Sequence, residues 1–311
     1  MRGPIKLLLT AAAALFGVGA LLALAGWLMG GQTSMTVAIG GRDVNVGLTG
    51  IHFSRWSGTG RRATAGGELE PFTALDVDVD LGDVYVVPSD HYGVELSWQG
   101  DDYELLYTNE NGTLSIWNKS TVRLGIDLGF GYGAEVRVYI PEGTALDRVA
   151  VKTNLGSAEL AGFHTERLDL EADLGDVTVS DAAVGDAVLR LSLGGLDLER
   201  VNARTLDLTL SLGELKGREL SVTKALTAEC DMGDAELAGA LEGRTEVTNH
   251  MGDVTLTVAG SEERYGYDLK TSMGKVIVNG RKSGDEAVRR GGDHTIEVKN
   301  SMGDIRLEFK R

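Results

Sequence analysis

The chain of 311 residues has one cysteine and four prolines, and only 6% of its side chains are aromatic. A single thiol, Cys230, cannot close an internal disulfide, and no Cys/His cluster has the spacing of a structural zinc site. Stability therefore has to come from packing and backbone pairing. Basic residues are also scarce, 30 against 46 acidic ones, which leaves a formal charge of -16. A surface of that sign repels phosphate backbones and argues against nucleic acid as a partner. With so little proline an extended linker is not expected. The 43 glycines carry no G-x-y period, so collagen is ruled out as well.

What is abundant is apolar sequence, at 42%, and glycine. The first apolar block is Leu7 to Met29, uncharged throughout and long enough as a helix to cross the roughly 30 Å hydrocarbon layer of a membrane. Arg2 and Lys6 precede it and the next basic residue is Arg42, so the positive-inside bias puts the N-terminus in the cytoplasm and the rest outside. Ala23-Leu24-Ala25 has the small-x-small form of a cleavage site, and a removed signal peptide is the alternative. The expected organisation is a cytoplasmic tail (1–6), a transmembrane helix or signal-anchor (7–29), a juxtamembrane spacer (30–69), an irregular N-terminal β cap (70–145) and β-solenoid repeats (146–311). Within the spacer, Met35–Val46 reads as a short hairpin around Gly40-Gly41.

One pattern then recurs nine times: alternating apolar residues, a Leu or Met, a glycine, usually an acidic or small residue, and two more alternating apolar residues. LDLEADLGDVTV, TEVTNHMGDVTL and IEVKNSMGDIRL are examples. The glycines are Gly82, Gly156, Gly175, Gly194, Gly213, Gly233, Gly252, Gly274 and Gly303, and most steps from Gly156 onward are 19 or 20 residues. A fixed period of this length is the mark of a repeat architecture. The internal period is two, so each unit holds half-buried strands. The phase slips by one residue at the glycine, as between Leu174 and Val177, which places a bend there.

A unit this short cannot bury its apolar face alone, and the predicted fold is an all-β, single-stranded β-solenoid of about 19-residue rungs stacked on one another. An antiparallel meander of hairpins is the rival architecture. In the solenoid, Leu174, Leu193, Leu212, Met232, Met251 and Met273 are expected to form one interior column, with Val177, Leu196, Leu215, Ala235, Val254 and Val276 in the next. The irregular stretch between Gly82 and Gly156 would cap the first rung, and Glu308, Lys310 and Arg311 would keep strands from adding at the C-terminal end. The insertion KSGDEAVRRGGDH before the last rung reads as a tolerated surface loop.

Candidate chemistry is sparse. Asp83, Asp176, Glu214, Asp234, Asp253 and Asp304 would stack as a carboxylate column able to hold Ca²⁺, but Ser157, Gly195 and Lys275 interrupt it, and a solvated turn accounts for it better. His52, His91, His164, His250 and His294 are scattered, no nucleophile elbow occurs, and Cys230 falls on an apolar face. Gly129-Phe130-Gly131-Tyr132-Gly133 has no helix after it and reads as a loop rather than a phosphate cradle. Asn111-Gly112-Thr113 and Asn118-Lys119-Ser120 match the glycosylation triplet. No catalytic residue, cofactor or metal ligand is expected.

Taken with the N-terminal apolar segment, the tandem Leu/Met-Gly-Asp-Val-x-Val units and the passage IPEGTALDRVAVKTNLGSAEL resemble the bacterial "putative adhesin" β-strand-repeat proteins over roughly Phe72 to Phe309. The resemblance implies a cell-envelope protein without catalytic residues, engaged in surface adhesion or in the response to envelope stress. Its partners would be the cell membrane, through residues 7–29, and an envelope or surface ligand that the sequence does not name. The alternatives are a polysaccharide-acting envelope enzyme on a β-helix and a self-assembling surface scaffold.

Overall fold

The computed structural model describes residues 34–39, 42–47, 50–55, 62–99, 103–120 and 133–310, and the expected membrane segment 7–29 lies outside them. Among the described residues no helix is long and apolar enough to cross a membrane. The chain forms two compact units. One holds Ser34–Ile39, Arg42–Gly47 and Gly50–Arg55 as an antiparallel meander in which Met35 faces Val46.

The other unit is an open stack of parallel coils. Each coil has a first-wall strand, a glycine corner and a second-wall strand. The coil His164–Leu174 then Val177–Ser180 shows the plan: it lies beside the coil of residues 183–193 and 196–199, with Leu170 facing Leu189 and Val177 facing Leu196, an offset of 19 residues. Because the offset equals the repeat, like residues stack on like, and no hairpin meander forms in this region. Alternation sends Leu168, Leu170 and Ala172 inward on the first wall, and Val177 and Val179 inward on the second; all are 2% exposed or less. Each buried Leu or Val contributes roughly 1.5–3 kcal/mol.

Coil one, Ala74–Leu81 with Asp83–Ser89, stacks directly on Ala145–Leu155 and Ala158–Ala161 despite the long excursion between them. That excursion supplies one more parallel layer, Thr113–Ser120 against the first wall and Glu135–Pro141 against the second. Antiparallel strands Tyr103–Glu110, Gly93–Gln99 and Arg62–Glu68 cover it. A coil edge left bare would present unpaired N–H and C=O groups, and the antiparallel layer fills most of them.

At the other end the order departs from expectation. The final coil, His294–Met302 and Ile305–Lys310, is not last in the stack. It is inserted between Arg244–Met251/Val254–Ala259 on one side and Tyr265–Met273/Val276–Val278 on the other. The charges of Glu308 and Lys310 therefore guard no open end. That role falls to the insertion expected to be a plain surface loop: Arg281–Lys282 and Glu286–Arg289 run antiparallel along the outermost coil.

Candidate interaction surface

Each first-wall strand ends in a triplet whose geometry the glycine sets. Ala172 is the last inward residue of its strand, Asp173 points out, and continued alternation would bury Leu174. Instead the backbone leaves the pleat: Gly82, Gly156, Gly175, Gly194, Gly213, Gly233, Gly252 and Gly303 have φ between 131 and 153°. Only glycine occupies this region freely. The corners also stack closely, and a Cβ on Gly175 would lie 2.0 Å from the carbonyl oxygen of Gly156. The ladder continues through the turn, with the Gly175 N–H donating to the Leu193 carbonyl at 3.0 Å and that of Gly252 to Met302 at 2.9 Å.

This bend overturns one expectation. Leu174, Leu193, Leu212, Met232, Met251 and Met273 do not form an interior column but stand on the outer corner, 38–59% exposed, and Met302 joins them between Met251 and Met273. The neighbouring column, Val177, Leu196, Leu215, Ala235, Val254 and Val276, is buried as expected. Seven large apolar side chains thus form one ridge, spaced by the strand separation of about 4.8 Å and so roughly 29 Å from end to end.

The acidic residues after the glycines have a structural use. A carboxylate oxygen of Asp176 accepts the Gly195 N–H at 2.8 Å, Asp234 that of Asp253 at 2.7 Å, Asp253 that of Asp304 at 2.8 Å, and Asp304 that of Lys275 at 3.0 Å. Asp83 does the same for Ser157 at 2.9 Å. Each carboxylate ties its corner to the adjacent coil. The Arg306 guanidinium, with the Asp304 amide behind it, holds the Asp253 carboxyl below the usual range. Among the described residues no group of His, Cys, Asp or Glu is placed to hold a metal ion.

The other candidates are dispersed. His91 contacts Asp90 at 2.7 Å, His250 faces Asp231 at 3.2 Å, and His294 Nδ1 accepts the Gly243 N–H at 2.9 Å. Cys230 is buried, which pushes its thiol up to about 11. The side chain of His52 and residues 129–132 lie outside the described set. Asn118 forms two hydrogen bonds with Asp80, and Asn111 sits in a tight turn with φ 53°. A shallow groove of about 530 Å³ crosses the starts of successive first-wall strands, with Ala145, Ala183, Gly185 and Ser221 along it.

Two features escape a reading by sequence. Gly162, Asp181, Arg200 and Glu219 form a second corner, with φ of 52–68°, at the same 19-residue spacing. Only one of the four is glycine, so the period hides behind varied side chains. Asp181 and Arg200 compensate by a bidentate pair at 2.6 and 2.9 Å. Inside the later corners, Asn249, Thr271 and Asn300 are buried and donate to the carbonyls of Gly233, Gly303 and Gly252 at 3.2, 2.9 and 2.8 Å. Their place in the inward register was the available signal.

The family model of the Toastrack DUF4097 domain matches residues 72–308. No curated protein matches the chain. Among solved structures, a "putative adhesin" from Bacteroides fragilis is 11% identical with a TM-score of 0.50, covering 79% of this chain and 97% of its own. A "putative adhesin" from Parabacteroides merdae is 12% identical, TM-score 0.42, over 82% and 98%. A "putative lipid binding protein" from Parabacteroides distasonis is 13% identical, TM-score 0.42, over the same shares. At 11% identity the similarity to the Bacteroides fragilis protein concerns the fold.

Proposed function

The chain belongs to the Toastrack DUF4097 family, and from that premise we propose that it is a non-enzymatic interaction module of the cell envelope, held to the membrane by residues 7–29 with its coils outside. The observation that carries this reading is the exposed ridge from Leu174 to Met273. Soluble proteins rarely leave contiguous large apolar side chains in water unless a partner covers them. Here the backbone ladder fixes their spacing, so a partner has only side-chain rotamers to order on the ridge and no backbone. Carboxylates line its flank, and the chain's charge of -16 disfavours anionic surfaces as the partner. Adhesion is the role named for the Bacteroides fragilis protein, and it suits a ridge whose spacing the strand ladder sets.

The test is a binding assay with residues 30–311 displayed on beads against cell-wall fragments, lipid vesicles and matrix proteins. Saturable binding to one of them, lost when Leu193, Met232 and Met251 are changed to Gln, is the expected result. Binding to none, or binding indifferent to the ridge, defeats the proposal. Protease shaving of intact cells tests the location: the coils should be cleaved from outside and the tail protected.

A further inference from the structure

The inserted final coil has an unusual relation to its neighbours. The two coils flanking it are consecutive in sequence, joined by the short turn around Glu262–Arg264, yet they lie one coil apart. Without residues 294–310 they would enclose a slot with a bare strand edge on each side of both walls. The final coil fills that slot by pairing on both edges: Val298 faces Val247 on one side and Leu269 on the other, and Leu307 faces Leu256 and Val278. Ile296, Val298, Ile305 and Leu307 are at most 1% exposed there. Arg306 clamps the coil to its neighbour through Asp253 at 2.7 Å.

The chain reaches the slot by stepping over a strand. Arg289 lies beside Tyr267 on the outer edge of the last coil, whereas His294 lies beside Tyr265 on the inner edge. Residues 290–293 make the crossing, with the Asp293 N–H donating to the Arg264 carbonyl at 2.8 Å. Glycine makes it possible: a Cβ on Gly266 would lie 2.5 Å from the Gly291 carbonyl oxygen, and one on Gly292 2.6 Å from that of Arg264. Gly291 and Gly292 have φ of 98 and 94°.

We propose that the final coil is an exchangeable strand donor, so that residues 294–310 of one copy fill the slot of a second copy and join two molecules. Every pairing of the slot is the same whether the donor belongs to its own chain or to another, and only the crossover differs. Bare edges are templates for pairing with another chain. Exchange of identical elements is a low-cost route to dimers and is controlled by the hinge. The short crossover favours the chain's own donor through effective concentration, and changing it shifts the balance.

The experiment uses full-length chains in detergent. Thr248 and Lys299 face each other across the parallel join and are not buried, and the usual strand spacing of about 4.8 Å falls within the Cα range of a disulfide. One chain carries Thr248→Cys and a differently tagged one carries Lys299→Cys. They are unfolded together, refolded under reduction and then oxidised, when Cys230 is already buried. The expected result is a mixed-tag, disulfide-linked pair that is absent when the two chains are folded separately before mixing and oxidation, and that is several-fold more abundant when Gly291→Val and Gly292→Val are added to both chains; equal amounts from separately folded chains would overturn the proposal. A single chain carrying both cysteine substitutions should close the bond internally, which checks the slot itself. The proposal is overturned if that internal bond fails to form, or if it forms while no mixed pair appears. Should the glycine variant not fold, the mixture with the native crossover decides alone.

Discussion

A side-chain carbon on Gly213 would stand 1.8 Å from the carbonyl oxygen of Gly194 in the adjacent coil. No real Cβ sits that close to backbone, and the Gly213 φ of 151° is itself closed to other residues. Gly213→Ala should therefore force the stacked coils apart at the corner and cost about 3 kcal/mol or more. Gly143, with open space around it, should accept alanine at the cost of its φ alone. Urea midpoints of the two variants compare them directly, and equal losses would refute the steric account.

The ridge and the column behind it should respond oppositely. Leu193→Gln removes a side chain that is 47% exposed and should change stability by no more than about 0.5 kcal/mol. Leu196→Ala, three residues on and 2% exposed, should cost about 2–5 kcal/mol. Only the first should weaken binding to the partner.

Acid should abolish one ion pair at a defined point. Asp186 accepts from Arg204 at 2.5 Å and from Thr205 at 2.6 Å, and these bonds, the Arg204 one foremost, hold its carboxyl down to about 2. The folded state thus prefers the carboxylate more than the unfolded chain does. The resulting stability is complete above the ordinary Asp range near 4 and is lost as pH falls through about 2. The gap in urea midpoint between wild type and Asp186→Asn should be constant from pH 7 to 5 and close as pH approaches 2. A gap that persists at pH 2 would rule this origin out.

Cys230 should report unfolding. Burial keeps it protonated and covered, with its thiol near 11, so a thiol reagent at pH 8 should label it only when the coils open. Labelling should follow the unfolding rate, and fast labelling of folded protein would show the corner to be looser than its packing implies.

The nine glycines, the 19-residue step and the period of two made the repeat legible and favoured parallel stacking, because a strand repeat that cannot bury itself has to stack on its neighbours; the pairing itself excluded the hairpin meander. The inward register of Leu170, Val177 and Leu196 was legible for the same reason. Whether Leu174 points in or out was not. That depends on how far the glycine φ turns the chain at the corner, and alternation cannot report an angle. The order of the last two coils was also beyond the sequence, since each carries the same motif and either would fit beside Met251. Only tertiary structure chose, through the glycine crossover at 290–293 that carries the final coil back into the slot. Sequence alone thus determined the repeat and its core. The exposed ridge and the inserted coil were decided by backbone angle and by the close approach of one strand to another.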